Sequence, residues 1–156
     1  MAEFVRLPDV AMAALRMGNA RALGLPRVGK SARLGNDLIV AIGPDEWLAI
    51  APDAHSDALC GRMKSIDGVA LDVSGNRVTY SVRGPDVRWF LAAGVSYDLD
   101  HLKPGDAVST VFARAPAILI AEEHGTFLLL TRRSFAAYVE TWAKNVDGQK
   151  TVAFRK

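Results

Sequence analysis

Three histidines, one cysteine, scattered carboxylates and an Arg-Arg pair are the groups here with chemistry to offer. His55, His101 and His124 are far apart, with no pair at ligand spacing and no carboxylate placed between them in a metal motif. They read as surface histidines rather than a metal set. Cys60 has no histidine nearby in sequence to make it a nucleophile, so it reads as a small, at least half-buried residue. Ser74 precedes Gly75 but lacks the flanking glycines and the strand-to-helix context of a nucleophile elbow. No dinucleotide fingerprint or Walker loop is present. Asp72 and Asp98 are the carboxylates that space could pair. Asp72, at an inner strand position between Leu71 and Val73, reads as a buried structural carboxylate taking backbone N–H bonds rather than as a general base. Arg132 and Arg133 have the donors to clamp an acid or a phosphate, or to tie loops together. Trp89 falls off the inward face of its helix. It is a candidate interface anchor, or packs against a second buried side.

Composition narrows the classes. With 156 residues, half of them apolar, the chain can build a real core. A net charge of +2 makes no case for nucleic acid or an acidic membrane. One cysteine excludes an internal disulfide and fits a reducing compartment. No apolar run approaches the roughly 20 residues that span a bilayer. Arg6, Asp9 and Arg16 interrupt any secretory core near the start, so a cytoplasmic location is expected. The first 33 residues hold six basic and two acidic side chains, a net +4. Residues 1–36 therefore read as a basic N-terminal arm and connector. Arg27, Lys30 and Arg33 are its candidate interface residues, for an acidic partner or a phosphate; a solvated, partly flexible arm is the other reading.

Any chemistry must be positioned by the elements of residues 37–156. A short helix near Pro8 and Asp9 and an irregular Gly/Pro/Arg segment from Arg21 to Asn36 come first. Leu38–Ile42 and Trp47–Ala51 form a hairpin around Gly43-Pro44-Asp45-Glu46. Asp53 caps a helix with Leu59, Met63 and Ile66 inward. Leu71, Val73, Val78, Tyr80 and Val82 at period two read as a second hairpin around Ser74-Gly75-Asn76. Pro85 opens a helix burying Val87, Phe90 and Leu91, with Gly94 as its C-cap. Ala107–Ala113, Ala117–Ala121 and Phe127–Leu130 make three adjacent strands. Ser134 then caps a helix with Phe135, Tyr138, Val139 and Trp142 on one face. Gly148 stops it, and Thr151–Phe154 forms an edge strand or a loose tail. The fold class is α+β: a single domain, a mostly antiparallel sheet with packed helices.

Three segments, taken in order, carry a resemblance. They are Leu38 to Leu48 with its GPDEWL turn, Asp72-Val73-Ser74 through Arg83-Gly84-Pro85 to Tyr97-Asp98-Leu99, and Arg132-Arg133-Ser134-Phe135-Ala136-Ala137-Tyr138. Together they resemble the gamma subunit of heterotetrameric sarcosine oxidases, across roughly Leu38 to Ala143. The resemblance implies a fold similar to the folate-binding aminomethyltransferase domain of the glycine cleavage system. It implies a non-catalytic assembly chain with no cofactor of its own. FAD, FMN, NAD and tetrahydrofolate sites would lie in alpha and beta chains and zinc in a delta chain, with alpha the main contact. The implied complex demethylates sarcosine oxidatively to glycine, hydrogen peroxide and formaldehyde or 5,10-methylenetetrahydrofolate. The alternatives are the gamma subunit of an N-methylglutamate dehydrogenase-type complex and a stand-alone folate-binding one-carbon protein.

Overall fold

The computed structural model describes residues 2–17, 24–52, 54–64, 68–147 and 152–153. Apolar side chains alternate along much of this chain, which favours strands with one face inward. The strands divide into two sheets, and the chain into two compact units, Met1–Pro8 with Arg77–Lys156 and Asp9–Asn76.

The Asp9–Asn76 unit holds β2 (Ala11–Arg16), β3 (Ser31–Leu34), β4 (Asp37–Gly43), β5 (Glu46–Ala51), helix α1 (Ser56–Lys64) and β6 (Val69–Asp72). Its sheet runs in the order β3-β4-β5-β2-β6, with every neighbouring pair antiparallel. The β4–β5 hairpin forms around Pro44 and Asp45 as its turn chemistry predicts. Trp47 is buried and its Nε1 donates to the Pro26 carbonyl at 2.8 Å. Leu59 and Met63 of α1 pack on Ala13, Leu15 and Ala70, the inward face predicted for that helix. Asp53, Ile66 and Gly148 lie outside the described residues.

The early chain departs from expectation. The helix foreseen near Pro8 is strand β2 instead. Alanine favours a helix locally, but pairing with β5 and β6 overrides that preference. The connector contains β3, and the boundary placed after residue 36 falls inside the β3–β4 hairpin, where Leu34 pairs with Asp37. The described residues before 37 thus contribute strands to the sheets rather than forming an arm outside them.

The other unit holds β1 (Ala2–Arg6), β7 (Arg77–Arg83), helix α2 (Val87–Ala92), β8 (Ala107–Phe112), β9 (Ala115–Ala121), β10 (Phe127–Arg132), helix α3 (Ala136–Asp147) and β11 (Val152–Ala153). The sheet order is β11-β1-β7-β10-β9-β8, antiparallel except for β1 with β11. The predicted β8, β9 and β10 are neighbours, and Val152–Ala153, the described part of the predicted C-terminal strand, forms a sheet edge. The hairpin foreseen at Ser74-Gly75-Asn76 does not exist, because β6 and β7 belong to different sheets. That turn hands the chain from one sheet to the other, closed by the Asn76 N–H to the Val73 carbonyl at 2.9 Å.

The core of this unit is aromatic. Phe4 stacks on Tyr80 at 4.5 Å between ring centres, and Phe112 meets Trp142 edge-on at 4.9 Å. Val87, Phe90 and Leu91 are buried on α2 as predicted. The cap assignments differ. Asp86 holds the N-cap of α2 and Ala93 the C-cap. Gly94 does another job: a Cβ there would sit 2.9 Å from both the Phe112 and Trp142 rings. The next helix, α3, is entered through a 3-10 turn, Arg133–Phe135, with Arg132 rather than Ser134 at the N-cap of that turn. Val139 is buried on α3, but Tyr138 is half outside and donates its hydroxyl to the Ala113 carbonyl at 2.6 Å. That bond steadies a turn in which Ala113 and Arg114 both take positive φ (49° and 71°), the conformation a two-residue hairpin requires.

The Tyr80 hydroxyl donates to Glu140 Oε1 at 2.9 Å, and Arg6 Nη1 reaches the same oxygen at 3.3 Å. Burial, then the Glu140 carboxylate, push the Tyr80 phenol well above its ordinary value of 10.0. The unfolded tyrosine loses its proton at a pH where the folded one keeps it. Its contribution to stability is therefore complete below pH about 10 and falls as the pH rises further. Urea titrations between pH 8 and 11 are expected to show this decline, and Tyr80→Phe is expected to flatten it.

Candidate functional site

The two carboxylates singled out for chemistry, Asp72 and Asp98, are each engaged locally. Asp72 is exposed, not buried as expected. The β2–β6 register sets Ala13 opposite Asp72 and Leu15 opposite Ala70, and β6 lies at a sheet edge. Asp72 sits at the last position of that strand, where solvent reaches it. It does accept a backbone N–H, from Ser74 at 3.0 Å, and the Ser74 hydroxyl at 2.6 Å. The hydroxyl bond first, then the backbone bond, hold its carboxyl below the usual range. Ser74 Oγ also receives the Met12 N–H at 3.0 Å. This carboxylate fastens the end of β6 to β2, a structural job.

Asp98 caps the 3-10 turn Leu99–His101, taking the Asp100 N–H at 3.1 Å and His101 Nδ1 at 2.7 Å with its own side chain and that of His101 exposed. Asp72 and Asp98 lie in different units, so no single unit pairs them. His124 lies in the β9–β10 hairpin loop with φ 55°. Cys60 is half-buried on α1. No group of three His, Cys, Asp or Glu that could hold a metal occurs among the described residues.

An open hollow of about 490 Å³ is lined by Leu34, Gly35, Asn36, Asp37, Ala54 and Arg62. Its carboxylate is buried and already taken, since Arg62 Nη2 donates to both Asp37 oxygens at 3.1 and 2.9 Å. The pair ties α1 to the start of β4. A paired, charge-neutral site of this kind holds structure rather than activating a water or a substrate.

Several large apolar side chains are also exposed. Trp89 stands on the outer side of α2, about a third exposed, with Tyr97 exposed shortly after it. Val69 (68% exposed) and Leu71 (63%) project from β6, one edge of the five-stranded sheet, and Val28 and Leu34 flank β3 at the other. Leu71 was expected inward. A period-two strand shows opposite faces at adjacent positions, and here Ala70 took the inner one. Arg27 is exposed before β3, Lys30 is half-buried, and Arg33 is exposed on β3. Trp89 and these basic residues lie in different units. Nothing in the period-two pattern alone distinguishes Val69 and Leu71 from core residues, so sequence reasoning missed them.

The model of the sarcosine oxidase, gamma subunit family matches residues 7–149. The chain belongs to that family. Within the gamma-subunit family it is 30% identical over 132 residues to the sarcosine oxidase subunit gamma of Corynebacterium sp. (strain P-1). The match covers 81% of this chain and 65% of that one. The gamma subunit of Corynebacterium sp. (strain U-96) is also 30% identical, over 129 residues, with 79% and 63% covered. The matches thus span a little under two thirds of the length of these gamma-subunit relatives. In three dimensions the chain is similar to one from the heterotetrameric sarcosine oxidase of Corynebacterium sp. U-96 in complex with pyrrole 2-carboxylate. The TM-score is 0.84 at 23% identity, covering 99% of this chain and 88% of that one. It is also similar to the glycine cleavage system aminomethyltransferase T of Bartonella henselae, with TM-score 0.73 at 12% identity, covering 98% and 47%. This chain therefore has the fold that the resemblance implied, a mostly antiparallel aminomethyltransferase-like α+β fold. Among its described residues no helix is long and apolar enough to cross a membrane.

Proposed function

We propose that this chain is the non-catalytic gamma subunit of a heterotetrameric sarcosine oxidase-type complex, with a structural role in assembly. The observation that carries this reading is the family match across residues 7–149. The local engagement of Asp37, Asp72 and Asp98 supports a chain built to hold shape. In this reading the alpha, beta and delta subunits are its partners, with alpha the main contact. They hold the FAD, FMN, NAD, tetrahydrofolate and zinc, and this chain holds none. The complex oxidises sarcosine to glycine with production of hydrogen peroxide and formaldehyde or 5,10-methylenetetrahydrofolate. Trp89, with Arg27, Lys30 and Arg33, contributes to the contact surface, and the exposed Val69 and Leu71 add apolar area to it. Aromatic and arginine side chains dominate such contacts, and losing a central tryptophan costs about 2 kcal/mol or more.

The test is purification of the tagged chain from its host, with a flavin spectrum and oxygen uptake of the eluate. Co-purification of larger flavin-bearing chains that turn over sarcosine is expected. Trp89→Ala is expected to reduce their recovery while leaving the circular dichroism of the chain unchanged. A preference for N-methylglutamate over sarcosine would replace the substrate. A colourless lone chain that binds folate would sink the assembly reading.

A further inference from the structure

One end of the six-stranded sheet concentrates positive charge. Arg77 opens β7 and Arg132 closes β10, and the two stand directly opposite each other in the ladder. Opposed residues on antiparallel strands keep their Cβ atoms about 4.5–5.5 Å apart, so both guanidinium stems leave the same face side by side. Like charges placed this way repel. Neither arginine has an ion-pair partner among the described residues. Arg77 is half-buried, and its Nε is shielded from water with no hydrogen-bond acceptor among the described residues. Burial, then the Arg132 charge, lower its proton affinity.

The scaffold beneath the pair is fixed. Thr131, fully buried, donates its hydroxyl to the Pro116 carbonyl at 3.0 Å and pins the end of β10 to β9. Arg133 Nη2 reaches the Arg77 carbonyl at 3.5 Å, bringing the turn after β10 onto the start of β7. Two donors of rigid planar geometry are thus held together without a counter-charge among the described residues. Guanidinium groups match the oxygens of carboxylates and phosphates in two-point contacts. An oxyanion between them would relieve the repulsion.

We propose that Arg77 and Arg132 form an oxyanion-binding site on the six-stranded sheet, one that takes a carboxylate or a phosphate group. The oxyanion comes from a free small anion or from an acidic side chain of an associated subunit. The second source rests on the assembly reading above; the site itself does not.

The probe is inorganic phosphate added to the full chain, with sodium chloride at equal ionic strength as control. Phosphate is expected to raise Tm by about 3–5 °C at tenfold excess over its Kd, beyond any effect of chloride. The arginine Nε–H signals of residues 77 and 132 are expected to shift in the same titration. Arg132→Gln is expected to remove the phosphate increment while raising Tm in phosphate-free, low-salt buffer, because the repulsion is gone. Arg27→Gln, which lies in the other unit, is expected to keep the increment. Equal responses to phosphate and chloride, or an increment that survives Arg132→Gln, would overturn the proposal. In the purified complex, a persisting phosphate response identifies a free anion as the occupant. A lost response, with weaker subunit recovery on Arg132→Gln, identifies an acidic side chain.

Discussion

Phe112→Ala is expected to lower the folding free energy by about 3–5 kcal/mol, a large share of the roughly 5–15 kcal/mol of a typical domain. Phe112 is wholly buried and touches three other rings: Phe4 at 6.4 Å, Phe90 at 5.9 Å and Trp142 at 4.9 Å between centres. Truncation removes the transfer free energy of the ring and leaves a cavity that rings fixed on β1, α2 and α3 cannot collapse to fill. Gly94 offers an internal control. Gly94→Ala places a methyl 2.9 Å from the Phe112 and Trp142 rings, and is expected to cost about 1–3 kcal/mol by overpacking. Combined with Phe112→Ala, its cost is expected to shrink, since one of the two obstructing rings is gone. A double-mutant cycle by urea denaturation reads the coupling directly. Strict additivity would mean that Gly94 and Phe112 do not press on one another.

Trp47→Ala is expected to be as severe in the five-stranded unit, at about 3–5 kcal/mol. Two losses combine there. The indole leaves the buried cluster it shares with Ile39, Ala41 and Ala49, and the Pro26 carbonyl loses its donor. Trp47→Phe keeps most of the packing and isolates the second loss, about 1–3 kcal/mol for a buried acceptor left without a partner. Urea denaturation followed by circular dichroism separates the variants. An alanine variant within about 0.5 kcal/mol of the parent would contradict this account of Trp47.

Sequence alone revealed the elements whose neighbours in sequence are also neighbours in space. The β4–β5 hairpin, the inward face of α1, the β8–β9–β10 meander and α2 all depend on local turn chemistry and short-range periodicity. What it concealed depends on distant pairing. Residues 2–6 carry a strand pattern too short to stand out, and they become β1 only because β7 lies alongside. Ala11–Arg16 favours a helix until β5 and β6 flank it. The Ser74-Gly75-Asn76 turn has hairpin residues, yet nothing local shows that its two strands join different sheets. Asp72 was legible as a structural carboxylate but not as an exposed one, because exposure depends on which strand forms the sheet edge. Arg132 was legible as a candidate anion ligand. Arg77 was not, since only the β7–β10 register sets it opposite.

The way the chain threads the two units bears on how it folds. The five-stranded unit is one continuous stretch, while the six-stranded unit needs β1 from before it and β7 from after it. During synthesis β1 emerges before the five-stranded unit and cannot pair with β7 until the whole intervening stretch has been made. The five-stranded unit supplies the remedy itself. Its own β2 and β6 pair, and the Val73 N–H reaches the Met12 carbonyl at 2.9 Å, so its two ends close on each other. Folding it first replaces a long flexible loop by a short clamp, which cuts the closure entropy for the β1–β7 pairing. A variant weakened at Trp47 should leave Phe4 unburied for longer, exposing an unpaired apolar strand to aggregation while the chain is still nascent.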